Sequence, residues 1–269
     1  MAKSRVDQML VDRGLAESRT RAQALIMAGL VYVGDRKVEK PGQSFAEDVT
    51  LDVRGRDHPW VSRGGIKLAH GLDHFGWDVA GTVALDVGSS TGGFTDVLLK
   101  RGAREVVAVD VGYGQLVWRL QNDERLKVLD RTNIRHLTPE LMDGPADLMV
   151  GDLSFISLEL VLPAIAECMT DGADLLPMVK PQFEVGKDRL GSGGVVRSPE
   201  LREEVTLDVA RKALELGLSC RAATASPLPG PSGNVEYFLW LVRDGGASAP
   251  SDAELARIIH RAVEEGPEN

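Results

Sequence analysis

The sequence predicts an α/β body built on a mostly parallel, seven-stranded sheet with helices on both faces, preceded by a small α+β head. Three observations carry this reading. From residue 83 onward, short apolar runs alternate with helix-length amphipathic stretches, as in repeated βα units. The first such run leads into a loop of small residues, Gly88 to Gly93, at the carboxyl edge where these sheets bind ligands. The head differs in grammar and in charge: residues 1–67 hold 12 Lys and Arg against 9 Asp and Glu, or +3, whereas the remainder hold 19 against 31, or −12. Such asymmetry suggests a partner-binding module joined to a different machine.

In the head, Val6, Met9 and Leu10 have helical spacing, Gly14 is placed to end that helix, and Ser18 suits the N-cap of a second helix carrying Ala22, Leu25 and Ile26. Leu30 to Val33, a turn at Gly34-Asp35-Arg36, and Val49 to Val53 then predict a small sheet. Residues 54–62 lack periodicity and contain Gly and Pro, so the head is set at 1–57, a linker at 58–62 and the body at 63–269. Trp60 fits packing onto a domain better than a base-stacking surface. Body strands are expected at 83–87, 105–109, 127–129, 148–150, 175–179, 219–223 and 235–242. Helices are expected near 93–101, 114–121, 158–169, 199–216 and 251–265.

Over 269 residues, 43% apolar and 26% charged content excludes a disordered or collagen-like chain. Cys168 and Cys220 are isolated, so neither a disulfide framework nor a structural zinc site is supported, and a cytoplasmic setting is expected. No window approaches the apolar length of a membrane span, and the N-terminus has no secretory apolar segment. His70 and His74 share a helical face without an evident third ligand, so no metal is expected.

The chemistry gathers at strand ends. Asp86 closes the first body strand, and Gly88, Ser89, Ser90, Gly92, Gly93 and Phe94 follow, small enough in the main to let a ligand approach the backbone. The spacing is not GxGxxG. Asp110, 24 residues past Asp86, can accept both hydroxyls of an adenosine ribose, and with this loop it favours S-adenosylmethionine over a dinucleotide. Asn133 fits an adenine edge or a turn-stabilising role equally well. Lys67, Asp152, Lys180 and Glu236 stand after Arg63-Gly-Gly or at strand ends, where each alone reads as an ordinary surface charge. The irregular stretch from Lys180 to Pro199 carries Lys187, Arg189 and Arg197.

Two resemblances sharpen these readings. Arg5-Val-Asp, Leu10, Gly14-Leu15-Ala16, Ser18-Arg19, Ala22, Leu25-Ile26, Gly29, Val33-Gly34 and Lys40-Pro41-Gly42 resemble the S4 RNA-binding domain. On that likeness Arg5, Arg19, Arg21 and Lys37 become candidate RNA contacts, with Arg63, Lys187 and Arg189 in the body. Lys67, Asp152, Lys180 and Glu236 match in order the K-D-K-E tetrad of FtsJ-like ribose 2′-O-methyltransferases. With Asp86-Val-Gly-Ser-Ser-Thr-Gly-Gly-Phe-Thr, Asp152-Leu-Ser-Phe-Ile-Ser and Val179-Lys-Pro-Gln-Phe-Glu, nearly the whole chain resembles the TlyA family. The resemblance implies a Rossmann-like, S-adenosylmethionine-dependent methyltransferase that modifies the 2′-hydroxyl of cytidine in 16S and 23S ribosomal RNA. Its partner would be that RNA within ribosomal subunits, with no membrane; the sequence leaves the oligomeric state open, a monomer being favoured. The family's historical haemolysin label finds no support in the composition, which offers no amphipathic membrane segments.

A ribose hydroxyl must lose its proton as it attacks a sulfonium methyl, so a base must lie within hydrogen-bond reach, and Lys180 is the candidate. Burial and Lys67 would favour its free amine, while Asp152 and Glu236 would oppose that and hold both amines in place. A pseudouridine synthase with an S4 head would need a different fold and no adenosine loop. A pure RNA binder has no use for the tetrad, and an NAD-dependent oxidoreductase stays conceivable from fold alone.

Overall fold

The computed structural model describes residues 3–13, 15–16, 18–53, 58–230 and 232–267, with the side chains of Lys187 and Ser192 excepted. Gly14, residues 54–57 of the stretch without periodicity, and Pro231 lie outside the described residues. Contacts divide the chain into two compact units, Met1–Pro59 and Trp60–Asn269.

In the first unit, β1 (Lys3–Arg5) pairs antiparallel with β4 (Ser44–Ala46), while β2 (Val31–Val33) lies between β3 (Arg36–Lys37) and β5 (Leu51–Val53). Helices α1 (Val6–Asp12) and α2 (Arg19–Met27) bury Val6, Leu10, Ala22 and Ile26 against Val31 and Val38. Ser18 caps α2, its hydroxyl accepting the Arg21 N–H at 3.2 Å. The β1–β4 pair was not expected: three-residue strands pairing across some forty positions leave no local periodicity to read.

The second unit orders its strands β11-β12-β10-β9-β6-β7-β8. These are β6 (Val83–Val87), β7 (Glu105–Val109), β8 (Leu126–Leu129), β9 (Ala146–Gly151), β10 (Met169–Val179), β11 (Leu218–Ala225) and β12 (Tyr237–Arg243). All pairings from β8 to β10 are parallel, and β12 runs antiparallel to both neighbours. Alternation along each strand splits the core in two. Leu85, Val87, Val107 and Val109 face α7 (Leu162–Glu167), α9 (Pro199–Glu215) and α10 (Asp252–Glu264). Ala84, Val106 and Ala108 face α3 (Gly64–Phe75) and α4 (Gly93–Lys100). Asp86 has the parity of Ala84 and so enters the α3/α4 side.

Three expected elements change. The helix near 114–121 shrinks to α5 (Trp118–Gln121), because Gly114 takes a φ of +62°. The helix near 158–169 becomes a 3₁₀ turn at Leu158–Leu160 followed by α7, with Pro163 in its first turn. Strand β10 begins six residues early, with an irregularity between Met169 and Asp174. Short helices α6 (Pro139–Met142) and α8 (Pro181–Glu184), together with α3, add elements absent from the strand-and-helix reading.

Trp60 and Val61, placed in the linker by sequence, pack onto the α3/α4 core. The Trp60 ring lies 5.3 Å beneath Lys100 Nζ and so close to Gly65 that a Cβ there would meet it at 2.4 Å. Asp96, only 2% exposed, accepts the Val61 N–H at 2.9 Å and hydrogen bonds from Lys100 and Arg119. Among the described residues no helix is long and apolar enough to cross a membrane.

Candidate active site

At the carboxyl edge of β6, β9 and β10 lies a cavity of about 250 Å³ lined by Lys67, Gly88 to Thr91, Gly93, Phe94, Asp152, Ser154 and Lys180, with Ser62 and Gly64 closing one wall. Strand ends explain the convergence: β9 delivers Asp152, β10 delivers Lys180, and α3 brings Lys67 over the sheet. Lys180 Nζ sits 2.5 Å from Asp152 Oδ1 and donates to Ser154 Oγ at 2.9 Å. Lys67 Nζ sits 2.5 Å from Glu236 Oε2, and Glu236, just ahead of β12, is fully buried. The four residues therefore stand as two ion pairs, each amine matched to a carboxylate.

Glu236 fits only because residue 230 is glycine: a Cβ there would lie 2.6 Å from Glu236 Oε1. The turn before it is closed by the Gly230 N–H donating to the Asn234 carbonyl. Asn234 also pins the irregular 186–198 stretch, accepting the Val196 N–H and donating to the Gly194 carbonyl, both at 2.9 Å.

The small-residue loop is shaped by sterics. Gly88 has φ +82°, and a Cβ there would meet the Asp152 carbonyl at 2.9 Å; a Cβ on Gly93 would meet Ser62 Oγ at 2.3 Å. Ser90 itself adopts φ +47°, and its N–H donates to Asp110 Oδ2 at 2.9 Å, while Gly112 N–H donates to Oδ1 at 2.7 Å. Asp110 is thereby fixed to the loop that Asp86 opens. Each of its oxygens keeps acceptor capacity for a ribose hydroxyl. Phe94 turns its ring inward against Phe238, 4% exposed, so only its place at the start of α4 borders the cavity. The Asn133 side-chain oxygen accepts the Arg135 N–H at 3.0 Å, a turn-stabilising contact, and like Asp110 and Gly92 it stands outside the residues that line the cavity.

Asp86 is fully buried and accepts the Thr95 hydroxyl at 2.5 Å. Burial above all, with Asp152 and Asp110 nearby, raises its carboxyl to about 7 despite the Thr95 hydrogen bond. The native state then holds a proton that the unfolded chain releases near pH 4. The corresponding stability is fully present below that pH and is lost as pH rises through about 7. Between pH 5 and 8 the wild type is therefore expected to lose stability relative to Asp86→Asn, as read by denaturant unfolding; a difference constant across that range rejects the assignment.

Of the expected RNA cations, the six whose side chains are described are exposed, with differing freedom. Arg21 and Arg63 are exposed; Lys37 extends over Gly29; Arg189 is engaged by Glu204 at 2.5 Å and by the Val185 carbonyl. Arg5 and Arg19 both bind Asp7. The side chain of Lys187 lies outside the description. Sequence reasoning missed Ser154, Thr95, Ser62, Asn234, Asp96 and Asp7. Ser154, Thr95 and Asp7 lay within motif runs without being singled out, and Ser62, Asn234 and Asp96 have no strand-end position to mark them.

A mostly parallel open sheet, with Asp110 at its second strand end and two ion-paired lysines at the cavity over its carboxyl edge, has the architecture of the Rossmann-like enzymes. The FtsJ-like methyltransferase family model matches residues 60–243, and the S4 domain model matches residues 4–47. The chain belongs to the FtsJ-like methyltransferase family, with an S4 domain ahead of the catalytic unit. It is 54% identical, over 98% of its length and 99% of the relative's, to the 16S/23S rRNA (cytidine-2′-O)-methyltransferase TlyA of Mycobacterium tuberculosis. It is 41% identical to YqxC of Bacillus subtilis, over 97% and 94% of the two chains. A solved structure from Streptococcus thermophilus superposes with a TM-score of 0.77 at 37% identity, covering 98% of this chain and 97% of that one.

Proposed function

We propose that this chain transfers a methyl group from S-adenosylmethionine to the ribose 2′-hydroxyl of cytidine in 16S and 23S ribosomal RNA, acting in the cytoplasm as a monomer on ribosomal subunits. The observation that carries the reading is the cavity in which the Lys180–Asp152 pair stands against the Gly88–Gly93 loop, with Lys67 on the same wall. The substrate named for the Mycobacterium tuberculosis relative, alike over nearly the whole of both chains, supports it.

Asp110, oriented by two backbone N–H groups, offers its carboxylate oxygens to a ribose, which supports the cofactor reading, while Gly88 and Gly93 are required by the packing of the loop itself. When bound, S-adenosylmethionine supplies an electrophilic methyl on a positively charged sulfur. Gly88, Ser89, Ser90, Gly92 and Gly93 would give it backbone, Asp110 would take its ribose hydroxyls, and Asp86 with Thr95 braces the strand end beneath. Lys180, as a free amine, would accept the proton of the 2′-hydroxyl as that oxygen is methylated. The ammonium so formed lies 2.5 Å from Asp152, which stabilises it. Lys67, fixed by Glu236, presents a cation to the ribose oxygen. Arg5, Arg19, Arg21, Lys37, Arg63, Lys187 and Arg189 supply phosphate contacts.

Incubation of the chain with methyl-labelled S-adenosylmethionine and 30S or 50S subunits, followed by digestion to nucleosides, tests the reading. Label is expected on cytidine ribose from both subunits. Label on a base, or on neither subunit, overturns it.

A further inference from the structure

The proposed base, Lys180, has two polar neighbours, and they hold it in different ways. Its Nζ lies 2.5 Å from Asp152 Oδ1, yet that oxygen is buried and accepts no directional hydrogen bond, so the contact is an attraction of charges. The bond that Lys180 Nζ donates to Ser154 Oγ at 2.9 Å is its one directional bond among the described residues. Lys67, the other amine of the site, is taken up by Glu236 and leaves Lys180 to these two.

Ser154 is held where this bond requires it. The Asp152 N–H donates to the Val87 carbonyl at 3.0 Å, tying the start of the 152–158 loop to β6. The far end is tied to α8, the helix that Lys180 caps: the Leu158 N–H donates to Glu184 Oε1 at 2.9 Å, and the Phe155 ring packs 5.2 Å from that of Phe183. Between the two ties Phe155 adopts a φ of +65° while 90% exposed. Such a conformation costs a non-glycine residue free energy and persists where the surroundings impose it. Ser154, itself exposed, stands just before that turn and lines the cavity beside the amine.

A free amine has three directions beyond its Cε, two holding hydrogens and one holding the lone pair that takes up a proton. A carboxylate attracts either hydrogen over a wide range of angles, so an ion pair alone does not set the rotation about Cε–Nζ, whereas a hydrogen bond to a fixed hydroxyl does. With one N–H on Ser154 Oγ and the other drawn to Asp152, the lone pair is left the third direction. We infer that Ser154 is a positioning residue for the reaction: its hydrogen bond fixes the rotation of the Lys180 amine, so that the lone pair faces the cavity where the ribose hydroxyl must arrive. The inference deepens the proposed function and rests on Lys180 being the base.

The test measures initial rates of label transfer from S-adenosylmethionine to ribosomal subunits, over a range of subunit concentrations. The proteins are the full wild-type chain, Ser154→Ala, Ser154→Thr, Lys180→Ala and the double variant of Ser154→Ala with Lys180→Ala. Ser154→Ala is expected to lower kcat about tenfold through lost orientation, with KM within about twofold of wild type. Ser154→Thr keeps the hydroxyl and is expected to recover most of that loss. Because the serine acts through the amine, its removal should cost nothing further once Lys180 is alanine. A threonine variant as slow as the alanine one overturns the inference. So does a raised KM at unchanged kcat, or an equal loss with and without Lys180; either would make the hydroxyl a direct RNA contact. If Ser154→Ala turns over as wild type while Lys180→Ala is slow, only the role of Ser154 falls. If Lys180→Ala itself turns over as wild type, the base reading falls and this inference with it.

Discussion

Lys180→Ala is expected to lower the rate of methyl transfer by roughly 10³-fold, the scale of a lost general base, while S-adenosylmethionine binding measured by calorimetry is retained. The separation follows from where the lysine sits. Its amine contacts Asp152 and Ser154, whereas the loop from Gly88 to Gly93 and Asp110 are held by backbone hydrogen bonds that do not involve it. The carboxylate left behind tolerates the change, because the Asp152 side chain is 23% exposed and water can replace the amine. Turnover within a few-fold of wild type would remove Lys180 from the proposed mechanism; loss of cofactor binding would recast it as part of the cofactor site.

Glu236→Gln is expected to damage folding and activity together. The Lys67–Glu236 pair is largely buried, with 10% and 0% of the side chains exposed, so neutralising the acid leaves a poorly solvated ammonium without its counter-charge. Breaking such a pair costs about 3–5 kcal/mol, which for a unit of this size lowers the melting temperature by roughly 10 °C. Adding Lys67→Met to Glu236→Gln should recover much of that stability, since the stranded charge is gone, without recovering methyl transfer. A double variant as unstable as the single one shows that the lost charge pair is not the cause. A double variant with restored turnover shows that Lys67 is dispensable to the reaction.

The parts of this molecule legible in its sequence are those with local periodicity or a fixed place at a strand end. Strands at 83–87 and 105–109 match residue for residue because their apolar runs are bounded by glycine and charge. Lys67, Asp152, Lys180 and Glu236 stood out by position, and the chain brings them to one region. Which lysine meets which acid was not legible. Lys67 and Glu236 are 169 residues apart, and their pairing is set by how α3 crosses the sheet toward the end of β12. The same limit hid Asp96, whose hydrogen bond to Val61 converts an expected linker residue into part of the second unit's core. It also hid Asp7, which reads in sequence as an ordinary first-turn acid of a helix. Asn133 could be read from sequence in two roles, and the structure supplies the contact of one of them, the Arg135 N–H on its side-chain oxygen.

The measurement that bears most directly on the account is methyl transfer to two ribosomal RNAs identical except at the nucleotide that takes the label, one carrying cytidine there and the other 2′-deoxycytidine. Removing one hydroxyl leaves the base and the phosphates untouched, so RNA binding should be equal. The account predicts methylation of the cytidine RNA and none of the deoxycytidine RNA. Equal methylation of both would place the acceptor on the base and contradict it.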